Sequence, residues 1–478
     1  MDQYITYEMF GALGDGMADD MPAIARAHEE ANRLSLPVKA REGAVYYISP
    51  RDMTAAVQTP PDWTGAKFII DDSQCENYRA HIFRVESTEE AVDLPVSSLV
   101  RGQTHVDNPH GRDLYVVVQN ANHADYIRKG LNQNNGHART DNFILRADGS
   151  LPSTVSFDFD EVTEVSARPI DRKKLTLTGG EFTTIANQAE SKYTYHGRNI
   201  EISRSNVEIS QITHLVTGEL DHGAPYRGFI SISGCADVCV HDCLFTGHYI
   251  YSTIGSAGLP VMMGSYDINI NSAANVTFAR CAQTTDIMDN RYWGLIGSNF
   301  CRDLTFEDCV FSRFDAHMGV TNCTLRRCRL GWQCLNAIGN GTFLIEETDA
   351  YGRAFVNLRD DYGCTWRGDI IIRNSTWHPL TEKRAVFFGI NEGDHDFGYE
   401  CFLPNVSIDG LTVDEENADA SPLYIFNDYT VNAAPGAGQP PYLPVPPAHV
   451  RVRNIATTRP IRLCEKPSLM PNTVFDAE

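Results

Sequence analysis

Several things are scarce in this sequence, and each absence narrows what it can be. No run of about 18 uninterrupted apolar residues exists, so no membrane-spanning helix is expected. The start, Met-Asp-Gln-Tyr-Ile-Thr, lacks a basic region followed by an apolar one, so no signal peptide is expected. Positive charge is also short: 40 Lys and Arg stand against 62 Asp and Glu, with no long basic run. The net charge of -22 makes nucleic acid and anionic membrane poor partners. A local basic cleft can still oppose that mean field. There is no repeated Cys-x-x-Cys, which speaks against a cysteine metal site. The thirteen cysteines are an odd number, which argues against a disulfide framework and favours a reducing compartment. No long coiled-coil or collagen-like segment suggests a trimer, and the oligomeric state stays open.

What is present is a recurring seven-residue phrase: polar, apolar, any, apolar, any, polar, then small or apolar. Lys174-Leu-Thr-Leu-Thr-Gly-Gly180, Asn275-Val-Thr-Phe-Ala-Arg-Cys281, Asp303-Leu-Thr-Phe-Glu-Asp-Cys309 and Asn322-Cys-Thr-Leu-Arg-Arg-Cys328 are copies. Its seventh positions are Gly180, Ile212, Cys243, Cys281, Cys309, Cys328, Thr348, Ser375, Leu411 and Ile455. The closest copies lie about 20 residues apart, as in stacked repeats whose units cannot bury an apolar face alone. Period-two strands, many turns and little helical spacing imply an all-β parallel β-helix. Each coil adds a strand about 4.8 Å from the last, and like positions stack. Cys243, Cys281, Cys309 and Cys328 then form an inward ladder of small apolar side chains. The Asn-x-Ser/Thr sites at Asn275, Asn322, Asn340, Asn374 and Asn405 read as turn and strand residues.

Before the repeats, Phe10-Gly-Ala-Leu-Gly-Asp-Gly16 leads to Asp19-Asp20, Pro22 and Ala23-Ile24. Apolar Ile24, Ala27, Ala31 and Leu34 have helical spacing, with Asp19 or Asp20 as the cap. Gly43 to Ile48 reads as the first strand. This opening resembles the N-terminal signature of the pectate-lyase-superfamily right-handed β-helix proteins. That group includes polysaccharide lyases, glycoside hydrolases and phage tailspike depolymerases. The resemblance covers about 40 residues and implies the fold, a capped end and a carbohydrate substrate, a polysaccharide or oligosaccharide. The hydrolases' Asn-Thr-Asp, Gly-His-Gly and Arg-Ile-Lys and the lyases' Trp-Ile-Asp-His are missing. Asn108-Pro-His-Gly111 is only an echo of the epimerases' Asp-Pro-His-Glu. No named activity follows.

The organisation expected is a cap and first coil over 1–59, a β-rich insertion over 60–172 that partly walls a cleft, and the main β-helix over 173–478. A proline-rich loop over 433–448 precedes a last coil at His449 to Ile455. Counting from the seventh positions puts Asp315 and His317 outward on one face. The same count stacks Asp289, His317 and Asn336 on neighbouring coils.

Carboxylates, arginine and tryptophan on an outward face are the makings of a sugar site. The preferred reading is a glycoside hydrolase with Asp289 and Asp315 as acid and base or nucleophile. His317 would tune one of them, and Arg291, Trp293, Trp332, Asn336 and Arg359 would hold sugar. Asp361 joins the catalytic candidates, although Asp360-Asp361-Tyr-Gly also reads as a turn. A second reading is a polysaccharide lyase with His317 or Tyr292 as base and Arg291 or Arg359 neutralising a uronate carboxylate. A third is a non-catalytic glycan-binding solenoid. His214, Glu219, Asp221 and His222 could rim the cleft or form a metal site, although their spacing matches no standard ligand pattern. No cofactor is expected, apart from a calcium loop allowed at Glu392-Gly-Asp-His-Asp396. Cysteine usage points to the cytoplasm and the fold to export, so localisation stays open.

Overall fold

The structure, a computed structural model, describes residues 3–190, 195–220, 223–380, 385–390, 397–414, 421–428 and 444–478. Its opening follows the sequence closely. The helix Met21–Leu34 carries Pro22 in its first turn and buries Met21, Ile24, Ala27 and Ala31 over the end of the first coils. Asp19 accepts the Met21 N–H at 3.2 Å. Asp20 instead turns back to accept the N–H groups of Leu13 and Gly14 at 2.7 and 3.1 Å. Gly14 has φ +60°, and a Cβ there would stand 2.9 Å from Ala44 Cβ. The signature glycine is therefore required by the backbone.

The seven-residue phrase sets the architecture. Its second positions pair in unbroken parallel register: Leu175, Val207, Val238, Val276, Leu304, Cys323, Phe343, Ile370, Val406 and Val450. All of these point into one continuous core. The sixth positions, from Gly179 and Gln211 to Gly410 and Asn454, all have left-handed φ between 44° and 77°. Each is a corner at which the chain swings from one sheet to the next. Asn and Asp tolerate that region better than other non-glycine residues. The seventh position then turns inward. Cys243, Cys281, Cys309 and Cys328 are all buried. The Cys281 thiol donates to Ala279 O at 3.5 Å and the Cys309 thiol to Glu307 O at 3.3 Å. None of the thirteen cysteines, all among the described residues, forms a disulfide. Between the corners, Phe278 stacks on Phe306 with ring centres 5.4 Å apart, and Phe306 meets Phe314 at 4.8 Å.

The insertion starts later than residue 60. Strands Lys67–Asp71 and Phe83–Val85 pair with Glu181–Ile185 and Ile200–Ile202 and send Phe68, Ile70, Phe83 and Val85 into the core. They belong to the β-helix although they lack its phrase, because alternation alone suffices to bury one face. After Val85 the chain leaves and builds a three-stranded antiparallel sheet from Leu114–Asp125, His137–Leu145 and Glu164–Pro169. This sheet has its own core of Leu114, Val116, Phe143 and Leu145. It is fastened to the helix by a buried pair, Arg302 Nη2 to Asp141 Oδ1 at 2.6 Å, and by Asn142 Nδ2 to Phe300 O at 2.6 Å.

The expected last coil is the strand His449–Ala456, followed by Val474–Ala477. Most of the proline-rich loop, and the acidic segment considered for calcium, lie outside the described residues. Among the described residues, no helix is long and apolar enough to cross a membrane.

Candidate functional site

One outward row of the stacked sheet runs Glu201, Ser231, Asn269, Gly297, Asp315, Asn336, Asn357. Above its middle lies a cavity of about 660 Å³ lined by Asp315, His317, Arg313, Arg359, Tyr266 and Trp293, among others. A second cavity of about 580 Å³, toward Glu201, shares His137, Arg227, Asn269, Asn299 and Met318 with it. Together they form one elongated cleft along the sheet.

Asp315 sits at the centre of the floor, only 1% exposed. Arg313 Nη2 donates to it at 2.8 Å, Arg359 Nη1 at 3.0 Å and the Tyr266 hydroxyl at 2.6 Å. Burial alone would raise its pKa, but Arg313 and Arg359 outweigh that and hold it well below the usual carboxylate range. Tyr266 is pushed up, chiefly by burial, and keeps its proton. Arg359 also grips Asp361 through Nε and Nη2 at 3.0 and 2.8 Å, and Arg128 from the insertion meets Asp361 at 2.7 Å.

His317 lies beside this cluster, half-buried. Its Nδ1 is 2.8 Å from Asn299 Oδ1, which fixes Nδ1 as the protonated nitrogen. Its Nε2 lone pair then faces the Tyr362 hydroxyl at 3.4 Å. Burial, with the Arg359 guanidinium, lowers its pKa to about 4, so it is neutral in ordinary buffers. The Trp293 ring lies under the Arg313 guanidinium at 4.5 Å.

The sequence grouping is thus partly assembled. Asp315, His317, Arg359, Asp361 and Trp293 come together. Asp289 does not share the row of Asp315. Residues 284–295 leave the coil as a loop before the floor strand Ile296–Asn299, so Gly297 faces Asp315. A two-residue register shift between Phe311 and Arg313 then pairs Asn336 with Asp315 in place of His317. Asp289 is bound by Arg291 at 2.6 Å, and neither lines the cavity. Arg291 and Tyr292 brace a neighbouring hairpin: Arg291 O accepts the Ile250 N–H at 2.9 Å, and Tyr292 stacks on Tyr249 at 4.8 Å. The backbone N–H of Trp332 donates to Ile287 O at 3.1 Å, and the residue does not line the cavity. Asn336 is spent on a ladder bond from Asn357 Nδ2 at 2.8 Å.

His214 is buried away from the cleft. Its Nδ1 meets Asp267 at 2.8 Å and its Nε2 Thr184 at 2.9 Å, so both ring nitrogens are engaged. His248 does likewise with Glu219 and Asp267 at 2.7 and 3.3 Å. This network holds a corner of the helix. His222 and Asp221 lie outside the described residues.

Sequence reasoning missed Arg128, His137, Tyr266, Asn299, Arg313, Tyr362, Glu201 and Arg227. Extending the row one rung at a time would have found Glu201 and Asn269. Arg128 and His137 carry no signal, because the insertion has no repeat.

No protein-family model matches the chain, and no curated protein is similar to it. Solved structures are. The tailspike gp61 of Pseudomonas phage phi297 aligns with TM-score 0.57 at 12% identity, over 96% of this chain and 81% of the tailspike. The tailspike gp49 of Pseudomonas phage LKA1 aligns with TM-score 0.57 at 14% identity, over 98% and 84%. The Gp54 tailspike of Acinetobacter baumannii bacteriophage AP22, solved with a capsular saccharide, aligns with TM-score 0.55 at 11% identity, over 99% and 79%. At these identities the likeness is one of fold. The chain is a right-handed parallel β-helix protein with an N-terminal capping helix. Phage tailspikes are among its structural neighbours, as the pectate-lyase-like opening implies.

Proposed function

We propose that this protein acts on an acidic polysaccharide, cleaving it by β-elimination next to a uronate carboxylate. One observation carries the reading: three guanidiniums, Arg128, Arg313 and Arg359, stand against two carboxylates, Asp315 and Asp361, around a neutral histidine. That floor has one positive charge more than it can pair. A uronate carboxylate would balance it and have its own charge offset, which acidifies the neighbouring C–H. His317 Nε2 would take that proton. The electron pair would move into the ring as the glycosidic C–O bond breaks. Tyr362, whose hydroxyl stands 3.4 Å from Nε2 and keeps its proton because burial raises its pKa, would supply a proton to the departing oxygen. Tailspikes, one of them solved with a saccharide, support glycan as the ligand class through the shared fold.

The hydrolase reading needs an acid and a partner carboxylate about 5 to 9.5 Å apart. Asp315 and Asp361, which share Arg359, are both held ionised, so neither can serve as the acid. The nearest carboxylate to Asp315 on the same row is Glu201, four rungs or about 19 Å away.

A panel of neutral and uronate glycans, read for new reducing ends and for ultraviolet absorbance of an unsaturated uronate, decides between them. Both signals together support elimination. Reducing ends without absorbance return the hydrolase. Binding without either signal would make the protein a glycan-binding solenoid.

A further inference from the structure

The two walls of the cleft meet above its floor. One wall is the hairpin of Tyr251–Ile254 and Pro260–Met263, which rises just before the floor strand Ile268–Asn271. The other is the loop 128–134 of the insertion; the strand that follows it, His137–Leu145, is tied past the opposite ends of the floor strands by Asn142 to Phe300 and Asp141 to Arg302. Their tips nevertheless touch. The Ala257 N–H donates to Leu131 O at 3.1 Å, and Ser256 Oγ to Gln133 O at 2.6 Å. Gly255 permits the approach: a Cβ there would stand 2.3 Å from Leu131 O.

Each wall is braced at its base. Arg128 and the Lys129 N–H both reach Asp361, at 2.7 and 2.9 Å. Gly264 lets the hairpin press on Trp293, whose Cβ would lie 2.1 Å from a Cβ at that position. Asn132, Gln133 and Ser256 line the same cavity as Asp315 and His317. Both tips therefore border the cavity where they touch.

We infer that the middle of the cleft is a roofed passage, and that its ligand is an unbranched acidic glycan segment that enters end-first. This rests on the cleft being the glycan site proposed above. A chain that cannot be laid in sideways must be threaded, so bulky branches and doubly blocked chains are rejected. Gly255, Ser256 and Gln133 set that specificity without touching the reacting bond.

The test has two arms. In the first, hydrogen exchange is followed at the Ala257 amide with no ligand present. The closed roof makes it slow, and Gly255→Val makes it fast. In the second, oligogalacturonate and oligomannuronate carrying biotin at both ends are offered with and without streptavidin caps. Binding to His317→Ala protein is measured, so that cleavage does not intrude. Free-ended chains should bind about tenfold or more tightly than capped ones. Gly255→Val, or Ser256→Ala should the first fail to fold, should narrow the gap. An unprotected Ala257 amide overturns the roof. Equal binding of free and capped chains overturns threading. A free-ended chain that binds the wild type without being cleaved counts against the elimination chemistry alone.

Discussion

At the level of single residues, the account rests on His317 and Asp315 having different jobs. In the proposed elimination His317 accepts the proton, and its pKa of about 4 sets a pH dependence. The neutral form is the active one, so kcat/KM should climb as pH rises through about 4 and then hold level toward neutrality. A rise centred near 6.5, the ordinary histidine value, would contradict the burial and the Arg359 neighbour that define the site. Asp315 is an anchor. Asp315→Asn strips two buried guanidiniums of their shared partner and should cost about 3–5 kcal/mol of stability, read by denaturant unfolding. Asp289→Asn, in its loop ion pair, should leave turnover and melting temperature unchanged. Loss of activity in that variant would restore the paired-aspartate reading. The residues legible from sequence were those inside a repeat phrase or a few positions beyond it. Asp315 and His317 were found because Phe314, Ala316 and Met318 alternate with them. Asp289 was misplaced because an insertion after Cys281 is invisible to counting.

At the level of elements, the phrase predicted its own geometry. Its polar sixth position is the left-handed corner and its seventh the inward ladder, and these local demands recur in every copy. Strands without the phrase, such as Lys67–Asp71, were assigned to the insertion because nothing in their composition separates a coil from an antiparallel strand. The fastening of the insertion was also hidden, since Asp141 and Arg302 lie far apart in the chain. Arg302→Ala would leave Asp141 buried without its counter-charge, costing about 3–5 kcal/mol at that docking surface. Limited proteolysis should then cut within 86–172 sooner, while the β-helix fragment stays resistant. Equal cutting of both parts would mean that the insertion is not a separable unit.

At the level of the whole molecule, a strongly acidic solenoid presents a basic floor at one place along its length. Mean charge gave no warning of this, because the arginines arrive from three sources: the insertion, the strand Val310–Arg326 that also carries Asp315, and the turn just past the strand Ala354–Leu358. Stacking explains how a long groove arises from short repeats, and why a polymer suits it better than a small molecule. The most direct test of the central claim is the two-channel assay on uronate glycans, run on wild type and His317→Ala side by side. The account expects reducing ends and unsaturated-uronate absorbance to appear together in the wild type and to vanish together in the variant. Reducing ends without absorbance, or undiminished cleavage by His317→Ala, would contradict it.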